Sequence, residues 1–186
     1  MDEMNDEEWR ILSSKQIIDH PYIGLAMETI EFPDGRVIED WPMVHALDYA
    51  NAMVLNKDGK AMVLEGYKHG LGRSSWQVLG GYLEPGEAPL DAIKRELLEE
   101  AGCASDDWQL LGSFVIDANR HMGQGHFFLA KDAQQIAAPS HDDLEDFTIR
   151  WLSLDDLEAA LWEGKVGIMP YGINVALGLL ALRQVN

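Results

Sequence analysis

The stretch GGYLEPGEAPLDAIKRELLEEAGC, residues 80–103, decides the fold. It predicts a helix that begins near Pro89, because proline suits the first turn of a helix. The helix is expected to end at Gly102, because glycine is a common residue just past a helix end. Helical residues advance by about 100° each, so one face carries only apolar side chains, which we interpret as core. These are Leu90, Ile93, Leu97 and Ala101.

A stripe of three glutamates follows the neighbouring face of the predicted helix. Glu96, Glu99 and Glu100 are spaced i, i+3 and i+4, so their side chains come close together. Like charges at this spacing destabilise an isolated helix by roughly 0.2–0.5 kcal/mol per pair. The nearest cations are Lys94 and Arg95, and Arg95 falls on the far edge of the stripe. A run of charge is most often a solvated face, but converging carboxylates also suit a hard divalent cation.

The spacing of the residues along this stretch distinguishes these two interpretations. The stretch fits the pattern G-x5-E-x7-R-E-U-x-E-E-x-G-U, in which U is apolar, and this pattern resembles the signature of the Nudix hydrolases. Cys103 is a less usual occupant of the last apolar position. On this resemblance we interpret the glutamates as a metal site. The matching positions are Gly81, Glu87, Arg95, Glu96, Leu97, Glu99, Glu100, Gly102 and Cys103.

The resemblance implies a metal-dependent reaction. In this family the segment forms a loop, a helix and a loop on an α/β/α sandwich, binds Mg²⁺ or Mn²⁺, and hydrolyses a nucleoside diphosphate linked to another group. By motif position, Glu96 and Glu100 are the principal metal ligands, and Glu99 joins when more than one ion is bound. The carbonyl of Gly80 is an expected backbone ligand. A bridging Mg²⁺ neutralises the charge of a diphosphate and lowers the pKa of a bound water.

Four other residues of the motif are implied to support the metal site. Glu87 and Arg95 are expected to form a salt bridge that fixes the loop against the helix. Gly81 and Gly102 are expected to permit tight backbone at the two ends.

The similarity is looser outside this segment but covers nearly the whole chain after about residue 13. Residues 19–40, 63–78 and 144–166 look like the ADP-ribose pyrophosphatase branch of the family. In that branch the N-terminal strands pair across a homodimer, so we expect a homodimer here. The chain departs from the branch at residues 79–81, which read LGG where PAG is common, and at Gln77, where glutamate is common. These departures leave the substrate open.

Three residues outside the motif are also candidates for the site. Glu145 matches the place where the branch carries a catalytic glutamate, and it could act as general base on the attacking water. The alternative is an exposed acid in an acidic loop. Lys68 and Arg73 match positions that contact phosphate or ribose, and the alternative is that both are solvated hairpin charges.

Five further residues are candidates for contact with a ligand or for the core. Asn119, Arg120 and His126 flank a glycine-rich segment, residues 117–124, and His126 is only a candidate ligand contact. Trp41 and Trp76 suit either the core or base stacking, and the core is the better interpretation.

The pattern of strands and helices predicts a mixed α/β (α+β) fold. We expect a small N-terminal antiparallel β-element followed by a sandwich, and the resemblance implies that this sandwich is a Nudix-type α/β/α sandwich with a mixed sheet. Turns at residues 33–35 and at Asp58-Gly59 predict hairpins, SSWQVLGG (residues 74–81) predicts one strand, and helices are expected over 155–163 and 172–183. We predict an acidic mobile lead at 1–15, a dimerising hairpin element at 16–45, and the Nudix hydrolase domain at 46–186.

The composition limits the binding partners and the cellular compartment that we expect for this protein. Thirty-two acidic against fourteen basic residues give a net charge of −18, which argues against nucleic acid and anionic membranes as partners. A single cysteine rules out an internal disulfide framework and fits a reducing cytoplasm. The first residues lack the basic and apolar regions of a signal peptide. We therefore expect a cytoplasmic protein.

The leading functional hypothesis is Mg²⁺-dependent hydrolysis of ADP-ribose or a related nucleoside diphosphate sugar to a nucleoside monophosphate and a sugar phosphate. One alternative is a house-cleaning hydrolase of nucleoside triphosphates or dinucleoside polyphosphates. Another is a sensor that binds a nucleotide sugar without cleaving it. The base, the sugar, the number of metal ions and the identity of the general base stay open.

Overall fold

The computed structural model describes residues 8–140 and 146–184, which form two compact units. The first unit comprises the described residues up to Leu47 together with Val115–Gln124, and the second comprises Asp48–Phe114 and the described residues from Gly125 onward. The sequence predicts a single domain boundary between residues 45 and 46. The first unit instead ends at Leu47 and also includes Val115–Gln124, which is distant in sequence. None of the helices in the described ranges is long and apolar enough to cross a bilayer.

The first unit is built on three antiparallel strands: β1 (Arg10–His20), β2 (Ile23–Glu31) and β3 (Val37–Ala46). The predicted hairpin at residues 33–35 is confirmed, because β2 and β3 flank this turn and pair antiparallel. Gly35 supplies the left-handed conformation of the turn, with φ of 82°.

The predicted mobile lead extends too far along the chain. Residues 10–15 belong to β1, whereas residues 1–7 lie outside the described part of the structure. Register irregularities between Ile11 and Ser13 and between Gln16 and Ile18 interrupt the pairing of β1 with β2. An extra residue in a strand shifts the alternation of side chains between faces. The strand therefore lacks the regular apolar pattern that would have identified it.

In the part of the chain that the structure describes, the second unit contains eight strands and three helices, and β9 and β10 contribute residues to both units. The strands are β4 (Tyr49–Asn56), β5 (Ala61–Lys68), β6 (Arg73–Gln77), β7 (Leu79–Tyr82), β8 (Cys103–Ala104), β9 (Asp107–Asp117), β10 (His121–Gln135) and β11 (Phe147–Leu152). The helices are α1 (Pro89–Ala101), α2 (Leu154–Trp162) and α3 (Met169–Arg183).

Two apolar clusters define the layers of the second unit. One cluster contains Ile93 and Leu97 of α1, and the other contains Leu157 of α2 and Val175 of α3. The sheet between them is mixed, because β4 pairs in parallel with β10 and antiparallel with β7. The predicted α/β/α sandwich with a mixed sheet is therefore confirmed.

Several predicted elements shift in detail. The hairpin at Asp58-Gly59 is confirmed, since this turn joins β4 to β5. The single strand predicted over residues 74–81 is instead β6 and β7, because the chain changes partner at Val78: β6 pairs with β5 and β7 pairs with β4. Helix α3 begins at Met169 rather than Gly172, with a proline in its first turn. Residues 121–124 of the predicted glycine-rich loop belong to β10.

Candidate active site

The loop before α1 is held by its own carboxylate. The backbone N–H of Glu84 donates to Oε2 of Glu87 over 2.9 Å, and the N–H of Glu87 donates to the carbonyl of Glu84 over 3.0 Å. Helix α1 then begins at Pro89, as the sequence predicts. It is followed by Gly102 with φ of 63°, whose N–H donates to the carbonyl of Leu98. These contacts fix both ends of the helix that carries the glutamates.

The carboxylate of Glu96 packs directly on the backbone of β7. A Cβ added to Gly81 would lie 2.1 Å from Oε1 of Glu96, so no side chain fits there without moving the carboxylate. The preceding residue, Gly80, faces the opposite side, where an added Cβ would meet Oδ1 of Asn51 at 2.0 Å. The two glycines therefore serve the two faces of one strand, and Gly81 forms a cradle for Glu96.

Arg95 ties this helix to the loop before it. Its Nε donates to Oε1 of Glu87 over 3.0 Å, and its Nη2 donates to Oε2 of the same residue over 3.1 Å. Nη2 also donates to the carbonyl of Tyr82 over 3.2 Å. The paired geometry is that of a bidentate arginine–carboxylate interaction. The Glu87–Arg95 salt bridge that the resemblance implies is present.

Arg95 also reaches two of the three glutamates on α1. Its Nη1 donates to Oε1 of Glu96 over 2.7 Å and to Oε2 of Glu99 over 3.1 Å. Hydrogen bonding to Glu87, and then to Glu96 and Glu99, raises the pKa of the Arg95 guanidinium, which is charged throughout the working range. The hydrogen bond from Arg95, together with the N–H of Glu84, holds the pKa of Glu87 below its usual value.

The residues present fit a divalent cation. Their donors are carboxylate oxygens, the ligands that hard divalent cations prefer, and the glycine cradle lets the Glu96 carboxylate lie close to the strand. The Arg95 guanidinium already places a positive charge between Glu96 and Glu99. Within residues 8–140 and 146–184, however, three or more His, Cys, Asp or Glu side chains do not converge as a ready-made ligand set. The predicted metal site at Glu96, Glu99 and Glu100 stays a prediction.

Comparison with known proteins identifies the family. The NUDIX domain matches residues 46–171, which is more than half of the chain. The chain belongs to the NUDIX family. It is 23% identical over 185 residues to the ADP-ribose pyrophosphatase of Mycobacterium tuberculosis (strain ATCC 25618 / H37Rv), with 98% of this chain and 87% of that protein covered. The predicted Nudix hydrolase family is confirmed, and with it the class of pyrophosphohydrolases.

Two other similarities bear on the Nudix fold and chemistry. The chain is 31% identical over 113 residues to the oxidized purine nucleoside triphosphate hydrolase of Mus musculus, with 59% of this chain and 70% of that protein covered. A crystal structure of an ADP compounds hydrolase superposes with a TM-score of 0.81 at 18% identity, covering 96% of each chain. This second likeness supports the fold alone. Nudix hydrolases generally use divalent metal ions.

Lys68 and Arg73 lie opposite each other where β5 and β6 pair, at the end of their hairpin. Nη1 of Arg73 donates to the carbonyl of Ser74 over 3.1 Å, and its Nη2 donates to the carbonyl of Gly164 over 3.3 Å. The guanidinium also lies against Gly167, where an added Cβ would meet Nη2 at 2.6 Å. The structure thus gives Arg73 contacts with the segment before α3. The predicted roles of both residues in binding substrate stay predictions.

The other candidates are distributed over both units of this Nudix chain. Glu145 lies outside the described residues. In the first unit, Nε1 of Trp41 donates to the carbonyl of Asn119 over 3.1 Å, and Arg120 lies 3.7 Å from a carboxylate oxygen of Asp117.

In the second unit, Nδ1 of His126 lies 2.8 Å from Oγ of Ser113. Trp76 is half-buried against the apolar cluster of α2 and α3, with Nζ of Lys165 lying 5.1 Å from its ring centre. His126 and Trp76 therefore both contact other side chains of the second unit.

One polar residue near α1 was not recognised as a site candidate from the sequence. Gln77 is only 5% exposed, and its Oε1 has no hydrogen-bond partner within the described ranges. It pairs with Leu64, a member of the apolar cluster that includes the buried face of α1. A buried, unsatisfied carbonyl costs roughly 1–3 kcal/mol. The signal in the sequence was Gln77 itself, which stands where the branch commonly carries glutamate.

Proposed function

We propose that this Nudix protein hydrolyses the diphosphate of ADP-ribose or a related nucleoside diphosphate sugar. The products are a nucleoside monophosphate and a sugar phosphate. The observation that carries the proposal is the similarity to the ADP-ribose pyrophosphatase of M. tuberculosis over 98% of the chain, which includes the N-terminal strands. The full set of acidic residues of the motif on and before α1 supports catalysis rather than binding alone.

The proposed ligands for Mg²⁺ or Mn²⁺ are Glu96, Glu99 and Glu100 with the carbonyl of Gly80. When bound, the ion neutralises charge on the diphosphate and lowers the pKa of a coordinated water. The chain's own contribution is orientation, because the Gly81 cradle fixes where the Glu96 carboxylate lies and the bidentate Glu87–Arg95 pair fixes the loop against the helix. A contact that orients a metal ligand, as the cradle does, is worth roughly 10–100-fold in metal affinity or activity.

The proposed general base is Glu145, which takes a proton from the attacking water. The water oxygen bonds to one phosphorus, the P–O bond to the bridging oxygen breaks, and the second phosphate leaves with that oxygen. Lys68 and Arg73 are proposed to contact phosphate or ribose. A guanidinium has five N–H donors, so the two bonds that Arg73 makes to backbone carbonyls leave donors for a substrate.

A second candidate is hydrolysis of nucleoside triphosphates or dinucleoside polyphosphates. The similarity to the mouse oxidized purine nucleoside triphosphate hydrolase favours it, at 31% identity over 59% of the chain. That match is shorter than the one to the M. tuberculosis protein, so it accounts for less of this chain. A sensor without catalysis is disfavoured because the glutamates of the motif are complete.

The test is a product assay on a panel of substrates. The panel contains ADP-ribose, ADP-glucose, GDP-mannose, UDP-glucose, a dinucleotide cofactor, a diadenosine polyphosphate and the common triphosphates, each with Mg²⁺ and with EDTA. We expect one diphosphate sugar to be split to a monophosphate and a sugar phosphate by the wild type. Both EDTA and Glu100→Gln should abolish most of the turnover. EDTA removes the divalent ion, and Glu100→Gln removes a carboxylate proposed to hold that ion at the diphosphate.

Other results of the same assay would revise the proposal. Preferred cleavage of triphosphates would keep the metal-dependent chemistry and replace the substrate. Absence of turnover with every compound, accompanied by a rise in melting temperature with one of them, would identify a binding protein. Undiminished turnover by Glu100→Gln would exclude this carboxylate as a metal ligand.

We also propose a cytoplasmic homodimer that forms through β1. All eleven residues of this edge strand are exposed, including Ile11, Leu12 and Ile17, and exposed apolar edge strands are sites of association. Sedimentation equilibrium should give twice the chain mass of 20.8 kDa. Ile17→Asp should lower that mass, whereas Ile136→Asp, at an exposed apolar site of the second unit, should not. A monomer at all concentrations would refute the dimer, and cell fractionation tests the compartment.

A further inference from the structure

We propose that Arg95 is the resident counter-cation of the glutamate cluster and competes with a divalent ion for the same oxygens. The proposal rests on the metal-binding part of the proposed function, not on the identity of the substrate. In this view Arg95 does more than join the loop to the helix. It also sets how tightly the site binds metal and keeps α1 stable when metal is absent.

The proposal rests on which N–H groups of Arg95 donate to which acceptors. Nε and Nη2 are used by the bidentate bond to Glu87 and by the carbonyl of Tyr82. Nη1 alone reaches Oε1 of Glu96 and Oε2 of Glu99. A cation that takes these two oxygens therefore displaces only Nη1, while the rest of the guanidinium stays anchored.

Burial indicates which carboxylate needs this counter-charge most. The side chain of Glu96 is 12% exposed, whereas that of Glu99 is 48% exposed. Removing the partner of a poorly solvated charge is costly, because water does not replace it. Arg95 therefore compensates Glu96 chiefly, and it also reduces repulsion between glutamates spaced i, i+3 and i+4 on one helix.

Competition has a thermodynamic signature. If Arg95 and the metal ion satisfy the same carboxylates, removing Arg95 should strengthen metal binding, and metal should compensate for the loss of Arg95 in stability. Thermodynamic linkage requires the gain in the free energy of metal binding to equal the part of the lost folding stability that metal restores. An arginine that only positions Glu96 predicts the opposite result, because its loss would leave the carboxylate disordered and weaken metal binding.

The experiment measures binding of Mn²⁺ by the full chain, by calorimetry and by electron paramagnetic resonance of the free ion. It also measures Tm in EDTA and in saturating Mn²⁺. We expect Arg95→Met to bind Mn²⁺ about fivefold or more tightly than the wild type. Its Tm should fall in EDTA, and Mn²⁺ should restore most of that loss. Lys94→Met is the matched control, since it removes the same charge from an exposed neighbouring position on α1. It should change the affinity for Mn²⁺ much less.

A second variant keeps the test decisive if Arg95→Met does not fold. Glu87→Gln retains the guanidinium but weakens its anchor, so Arg95 should interact more strongly with Glu96 and Glu99 and Mn²⁺ should bind several-fold more weakly. Glu84→Gln removes the same charge from an exposed position of the same loop and should have a smaller effect.

The outcomes separate this proposal from the proposed function. If the wild type binds Mn²⁺ while Arg95→Met binds it equally or more weakly and loses Tm equally with and without the ion, the competition is refuted and the metal site stands. The competition is also refuted if Glu87→Gln binds Mn²⁺ no more weakly than Glu84→Gln. A wild type that binds no Mn²⁺ overturns both the competition and the metal site. A change of substrate in the product assay leaves the binding result untouched.

Discussion

Replacing Gly102 by alanine is expected to destabilise the chain by about 3 kcal/mol. Gly102 follows α1 with φ of 63°, a conformation that costs an alanine about 1–2 kcal/mol. An alanine Cβ would also lie 2.2 Å from the carbonyl oxygen of Ala137. That oxygen belongs to backbone held in place by Gly102 itself, whose carbonyl accepts from the N–H groups of Ile136 and Ala137. Neither side of the clash can move without breaking these bonds.

Gly59→Ala separates the two causes. Gly59 also has a left-handed backbone, with φ of 73°, but an added Cβ would meet nothing within 4 Å. Its substitution should cost only the conformational term, about 1 kcal/mol. Urea unfolding of both variants gives the two losses in the free energy of unfolding, if the dependence of that free energy on urea concentration is the same as in the wild type. A loss at Gly102 no larger than at Gly59 would show that the segment at Ala137 yields easily, and would contradict the expectation.

The parts of the fold that follow from local chemistry were predictable from the sequence. Pro89, Gly102 and an apolar face define α1 over one short stretch, and Asp58-Gly59 defines a hairpin. The strand β1 was missed because its irregular register breaks the alternation of side chains. The change of partner at Val78 was missed because it depends on strands distant in sequence.

The same distinction holds in the candidate site. The pairing of Glu87 with Arg95 was expected, since both positions belong to one motif. The contact of Arg95 with Glu96 was not, because adjacent helical residues do not face each other. The long guanidinium reaches Glu96 only because Glu87 and Tyr82 hold it beside the start of the helix. The contact of Arg73 with Gly164 links residues 91 positions apart, which no local pattern shows.

Replacing Gly81 by alanine is expected to reduce kcat by about 100-fold with little loss of stability. An added Cβ would meet Oε1, Cδ and Cγ of Glu96 at 2.1, 2.3 and 2.9 Å. These atoms form the far end of a flexible side chain, so they can rotate away, in contrast to the backbone carbonyl opposite Gly102. Gly81 lies in β7 and needs no left-handed conformation. The substitution therefore moves a proposed metal ligand while the helix and the strand stay in place.

The measurement compares kcat, Mn²⁺ affinity and unfolding free energy for Gly81→Ala and Gly70→Ala. Gly70 has open space around an added Cβ, so its substitution should leave all three near wild type. Loss of kcat and of Mn²⁺ affinity with the unfolding free energy within about 1 kcal/mol of wild type would assign the cradle to the metal site. Loss of stability comparable to that of Gly102→Ala would instead make the contact between Gly81 and Glu96 a packing requirement. Full retention of kcat would show that Glu96 can work from another position, and would remove the reason for a glycine at this point of the strand.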